Sequence, residues 1–153
     1  MEFNELIKGL SEKLGLGLSP QDDVCVLGID DMQVTLQALN EVDLLSTYGE
    51  IGEPPPQGLE QLLTAMLNAN HLFQGTAGAT ISRDPETGKF YLCRCEALSI
   101  LTVERLMESL ETFVNVLETW RKLVADYRPS DPAAGSAYTE EPPPFGGDGF
   151  MAV

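Results

Sequence analysis

The sequence predicts an α+β fold, a mainly antiparallel sheet of about five strands with three helices in the order α-β-β-β-α-β-β-α. Three observations carry that expectation. Apolar residues recur at three- and four-residue steps in three separate stretches, the runs between them alternate at period two, and short turn-forming segments join most of those runs.

Phe3, Leu6, Ile7, Leu10 and Leu14 share one face, with Glu2, Glu5, Lys8, Glu12 and Lys13 between them, the pattern of an amphipathic helix. Gly15 and Gly17 end it, and Leu16 and Leu18 follow on glycine-spaced chain before Ser19-Pro20 opens a polar connection. Val24 to Ile29 is short, β-branched and apolar on both parities, so it reads as a strand buried on both faces or lying at an interface. Asp30-Asp31 turns the chain. Gln33, Thr35 and Gln37 then alternate with Val34, Leu36 and Ala38, a strand with one wet face. A third strand is expected from Asp43 to Tyr48, ending before Pro54-Pro55-Pro56, whose residues have no N–H to give to a ladder.

Leu59, Leu62, Leu63, Met66 and Leu67 form the second helical stripe, continued loosely by Leu72 and Phe73. Glu60 is its one charge among neighbours such as Gln61, Thr64, Asn68 and Asn70, so the helix is expected to pack on both sides, one of them against another subunit. Gly75 to Gly78 breaks it. Thr80 to Arg83 and Lys89 to Cys95 read as a hairpin through Asp84-Pro85-Glu86-Thr87-Gly88, where Pro85 presets φ and Gly88 accepts a positive one. With Thr102 as N-cap, Val103, Leu106, Leu110, Phe113, Val114, Leu117, Trp120, Val124 and Tyr127 make the strongest stripe in the chain, and Arg128-Pro129 ends it.

The 153 residues, 43% of them hydrophobic, suffice for one domain with a real core, assigned to residues 1–128. Residues 129–153 change to Pro, Gly, Ala and Ser with four acids and no base after Pro129, the composition of a disordered acidic tail. The net charge of −15 argues against nucleic acid and anionic membranes, since both would repel it. From Met1 to Glu60 twelve acids face only Lys8 and Lys13, which makes the N-terminal part the better place for a basic protein partner. No apolar run reaches the roughly 20 residues of a membrane span, Met1-Glu2-Phe3-Asn4-Glu5 is no signal-peptide start, and three cysteines make no disulfide framework, all of which predicts a cytoplasmic protein.

Chemistry finds little support. Cys93 and Cys95 share a strand face, and Cys25 and His71 would be needed to complete a zinc site, but the Cys-x-x-Cys knuckle of structural zinc is missing. His71 is the only histidine and ends an apolar helix, a capping or interface position more than a catalytic one. Gly75-Thr76-Ala77-Gly78 lacks the Gly-Lys-Ser/Thr ending of a phosphate loop, and Asp22, Asp23, Asp30 and Asp31 lack calcium-loop spacing. No enzyme and no cofactor are expected. What remains is more apolar surface than one small sandwich buries, hence a binding surface, a dimer interface, or both.

The element order, the acidity and the local series Leu62-Leu63, Met66-Leu67, Ala69-Asn70, a glycine break, Asp84, Glu86-Thr87-Gly88, Leu92, then Leu110, Phe113 and Trp120 resemble the class I chaperones of bacterial type III secretion, the Tir-chaperone-like family. The resemblance spans about residues 1–127. It implies a cytoplasmic homodimer that binds the extended N-terminal segment of a secreted effector and keeps it secretion-competent without ATP or metal. By the same analogy the dimer contact falls on Leu59, Leu62, Leu63, Met66, Leu67, Phe73 and Ile81, and the effector pockets on Leu6, Leu10, Leu14, Leu16, Val34 and Leu36. Several of these must be core, because one stripe cannot be both wholly buried and wholly exposed. The alternative is a small acidic inhibitor or immunity protein that covers a folded basic partner.

Overall fold

The computed structural model describes residues 1–129; the expected tail beyond Pro129 lies outside the described residues. Three helices and a five-stranded antiparallel sheet follow the predicted order: α1 (Phe3–Leu14), β1 (Val24–Ile29), β2 (Met32–Leu39), β3 (Leu44–Gly52), α2 (Leu59–Asn70), β4 (Thr80–Arg83), β5 (Phe90–Ala97) and α3 (Val103–Ala125). The strand order in the sheet is β1-β2-β3-β5-β4, which makes β1 and β4 the two edges. Contacts divide the described residues into two compact units, residues 1–49 with 93–114, and residues 50–92 with 115–129.

In the first unit, α1 buries Phe3, Leu6, Ile7 and Leu10. It meets the start of α3 at Gly9, where an added Cβ would fall 2.5 Å from Val103 Cγ2, so only glycine allows this approach. Lys13 reaches Glu104 across the same contact at 3.0 Å, and the lysine holds that carboxyl below its ordinary range. β1 and β2 form a hairpin with Ile29 opposite Met32 and Val24 opposite Gln37. The turn between them is Asp30-Asp31 as expected, with Asp30 in the left-handed region at φ 52. β2 continues into β3 with Val34 opposite Gly49 and Leu39 opposite Leu44. Asp43 accepts the Ser99 N–H at 2.9 Å and its Oγ–H at 2.6 Å, tying the turn before β3 to the turn after β5. Thr102 caps α3 through the Arg105 N–H at 3.3 Å, as its position predicted.

In the second unit, α2 buries Leu62, Ala65, Met66 and Ala69. Its start is fixed by the far end of the chain: Tyr127 Oη donates to the Gly58 carbonyl at 2.9 Å, and Gly58 itself holds φ 73 with Pro129 and Tyr127 where a Cβ would lie. The hairpin between β4 and β5 is built on Asp84, whose carboxylate accepts the Glu86 N–H at 2.9 Å and the Thr87 hydroxyl at 2.8 Å. These bonds hold the Asp84 carboxyl below its ordinary range, the Glu86 N–H first among them. Trp120, fully buried on α3, donates its indole N–H to the Gly75 carbonyl at 2.9 Å and pins the connector between α2 and β4.

Three local expectations shift. β3 runs on to Gly52, because the prolines that stop it begin only at Pro54. α3 ends at Ala125, leaving Tyr127 to swing back to Gly58 as a tether. Leu72 and Phe73 do not extend the α2 stripe; both take positive φ, 52 and 57, directly after the helix and ahead of the glycines expected to break it.

Candidate functional site

Among the described residues, the exposed large apolar side chains of the second unit gather at one end of α2. Leu67 is 69% exposed, Leu72 71% and Phe73 50%. From Gln61 to Ser82 the chain carries no Asp, Glu, Lys or Arg, so this patch sits in the one long uncharged stretch of a strongly acidic chain. The connector that presents it is costly. Leu72 and Phe73, with Ala77, lie in the left-handed region, at about 1–2 kcal/mol each for residues other than glycine. Thr76 Oγ1 is buried without a hydrogen-bond partner among the described residues. Such strain persists where the surrounding structure fixes it, here through the Trp120 bond to Gly75, and it tends to accompany function.

The residues expected at the dimer contact therefore divide. Leu67 and Phe73 are exposed, Leu59 and Leu63 are half-buried, and Leu62, Met66 and Ile81 are buried within the chain. The latter three are core, since they occupy the face of α2, and the inward side of β4, that closes the unit. Leu72, absent from the expected set, is the most exposed large apolar residue among the described residues. Its signal was its place in the uncharged stretch, which helical periodicity obscured.

The expected effector pockets divide in the same way. Leu6, Leu10, Val34 and Leu36 have no exposed surface. This corrects their assignment as pocket walls: the α1 stripe and the inward face of β2 are consumed by the core. Leu14, the last residue of α1, and Leu16, on the loop after it, remain, 42% and 45% exposed. That loop is ordered by Ser11, whose hydroxyl donates to the Leu16 carbonyl and accepts the Leu18 N–H at 3.1 Å, while Gly15 makes the left-handed helix end. The two leucines are thus held outward by a built turn.

β1 is buried on one face only. Cys25 and Leu27 point inward, whereas Val26 is 53% exposed and Gly28 is open, which favours the interface reading of this strand over burial on both sides. The opposite edge differs. Asn70, at the end of α2, accepts the Ile81 N–H at 2.8 Å and donates to the Ile81 carbonyl at 3.1 Å, so a side-chain amide takes the place of a neighbouring strand on β4.

The cysteines and the histidine do not converge: among the described residues no group of three or more His, Cys, Asp or Glu is placed to hold a metal ion. Burial pushes the Cys25 and Cys93 thiols up, the opposite of an activated nucleophile. His71 is the exposed residue that ends α2. Among the described residues no helix is long and apolar enough to cross a membrane.

The chain is thus an acidic α+β fold with a strained, uncharged apolar patch at the end of α2 and an exposed outer face on β1. The sequence matches the Tir chaperone protein (CesT) family over residues 5–121, and the chain belongs to that family. No curated protein matches it in sequence. Among solved structures, the HopA1-SchA chaperone-effector complex contains a chain of the same fold with TM-score 0.66 and 20% identity, covering 78% of this chain and 93% of that one. The ExsC-ExsE complex gives TM-score 0.66 and 23% identity over 79% and 92%. The heterodimeric ExoU-SpcU complex from the type III secretion system of Pseudomonas aeruginosa gives 0.63 and 18% over 79% and 98%.

Proposed function

We propose that this chain is a type III secretion chaperone that binds the extended N-terminal segment of an effector in the bacterial cytoplasm, keeping it soluble and secretion-competent without ATP. The family match over residues 5–121 carries this reading. The chemistry of the surface supports it. Extended-chain binding draws on backbone hydrogen bonds at a sheet edge and on apolar side-chain contacts, and the chain offers an open edge at β1 and outward leucines at Leu14 and Leu16.

The functional unit is a homodimer formed through the end of α2. Two copies at −15 each repel one another wherever their acids meet, so the uncharged stretch from Gln61 to Ser82 is where contact is cheapest electrostatically. Leu67, Leu72 and Phe73 supply its apolar centre, with Leu59 and Leu63 beside them. Leu14 and Leu16 take effector side chains.

Co-expression with the products of neighbouring genes, followed by limited proteolysis, tests the function. Protection of an extended N-terminal segment of a secreted protein is the expected result. Protection of a folded catalytic domain alone would overturn it in favour of an acidic inhibitor.

A further inference from the structure

Two thiols stand together on β5, apart from the apolar surfaces. Cys93 and Cys95 alternate along the strand and so share one of its faces. Their neighbours show which face it is. Arg94 pairs with Glu96 at 3.6 Å, and Glu96 accepts the Ser109 hydroxyl of α3 at 2.5 Å, so these side chains turn towards the helix and the thiols turn away from it. Cys93 is half-buried, Cys95 is exposed, and their side chains are in hydrogen-bond contact. Ser46, buried on the neighbouring strand β3, brings its Oγ to 3.5 Å from Cys93 Sγ. Just past β5 the Leu98 N–H donates to the Asp43 carbonyl at 3.0 Å and the Ser99 N–H to the Asp43 carboxylate at 2.9 Å, which ties this end of the strand to the start of β3. The sulfurs are therefore carried on fixed backbone, with a hydroxyl on one side and solvent on the other.

The spacing decides what such a pair can hold. Two residues of strand set the Cα atoms about 6.6 Å apart, at the stretched end of the roughly 4.4–6.8 Å that a disulfide accepts. A bridging metal ion asks for less closure, since two metal–sulfur bonds of about 2.3 Å span up to roughly 4.6 Å between the sulfurs, against about 2.05 Å for a direct bond. The number of ligands then selects the ion. Structural zinc takes a tetrahedral set and calcium a larger cage of oxygens, whereas among the described residues no third Cys, His, Asp or Glu joins this pair. Cys25 is buried on the inward face of β1, and His71 ends α2. Cu(I) is soft, favours thiolates and is satisfied by two of them in line.

We propose that Cys93 and Cys95 bind one Cu(I) ion per chain between their sulfurs, with the Ser46 hydroxyl donating to Cys93 Sγ. Both thiols release their protons on binding and no electron is transferred. Two thiolates and one Cu(I) leave a single negative charge, which the Ser46 hydrogen bond stabilises while it orients the sulfur. The site shares no residue with Leu14, Leu16 or the end of α2, so it stands or falls separately from the chaperone reading.

The test titrates the full, reduced chain with Cu(I) without oxygen, in competition with the chromophoric chelator bicinchoninate. One equivalent per chain should leave the chelator, with a thiolate-to-copper absorption growing in the ultraviolet. Cys95→Ser, at an exposed position where circular dichroism should show the wild-type thermal transition, should lose more than about a hundredfold in affinity, beyond what loss of an outer hydrogen-bond partner costs. Cys93→Ser should lose as much. Ser46→Ala should keep the stoichiometry and weaken binding about tenfold. Zn(II) in equal amount should not displace the copper. Absence of the ultraviolet band, half an equivalent per chain, wild-type affinity in either Cys→Ser variant, or displacement by Zn(II) would overturn the proposal.

Discussion

α1 and α2 are both twelve residues long, yet they finish differently. The apolar stripe of α1 is spent inward as far as Leu10, and its outer face is charged. α2 buries a similar number of side chains but leaves Leu67 standing out of an uncharged surface, with Leu72 and Phe73 just beyond. Amphipathicity tells which face of a helix goes in; the absence of charge on the other face tells that something else covers it.

The sharpest way to separate the two helices is one carboxylate on each. Leu10→Asp places an unpaired charge in a fully buried site and should cost more than about 4 kcal/mol, leaving no cooperative thermal transition by circular dichroism. Leu67→Asp should leave that transition within about 1 kcal/mol of wild type while light scattering shows a monomer, since the side chain is 69% exposed within one copy. A dimer that survives Leu67→Asp would place the interface elsewhere.

Asn70 probes the end of α2 from the other side. Asn70→Ala leaves the outward Ile81 groups without their amide partner and should lower stability by about 1–3 kcal/mol in urea titrations. The exposed edge should also make the variant associate at high concentration. On α1, Leu14→Ser should change stability by less than about 0.5 kcal/mol while weakening effector capture in a pull-down.

The smallest expected effect lies in the hairpin that follows α2. Its Asp84 carboxyl is depressed in the folded chain by the Glu86 N–H and the Thr87 hydroxyl. The unfolded chain therefore takes up this proton at higher pH than the folded one, so the stabilisation is present above the ordinary carboxylate range and is lost as pH falls through the folded value. Protection of the Glu86 amide, measured against the intrinsic exchange rate at each pH, should fall at acid pH, and Asp84→Ala should remove that dependence.

Much of this was legible in the chain itself. The hairpin was readable from Pro85 and Gly88, the Thr102 cap from its place before the longest stripe, and the family resemblance from the series running through Leu62, Asp84 and Trp120. The site was less so. Leu6, Leu10, Leu14 and Leu67 are all leucines on helical stripes, and nothing in residue type distinguishes the two that are buried from the two that are not.

The sequence by itself determined the element order, the acidic surface and the uncharged stretch from Gln61 to Ser82, because periodicity, turn chemistry and charge are local properties of the chain. Only the tertiary structure decided which leucines are core and which edge of the sheet is open. Those depend on partners distant in sequence: Val103 against Gly9, Tyr127 on Gly58, Trp120 on Gly75 and Asn70 on Ile81. Burial and the pairing of backbone groups are properties of the assembled chain, and no window of sequence contains both halves of such a contact.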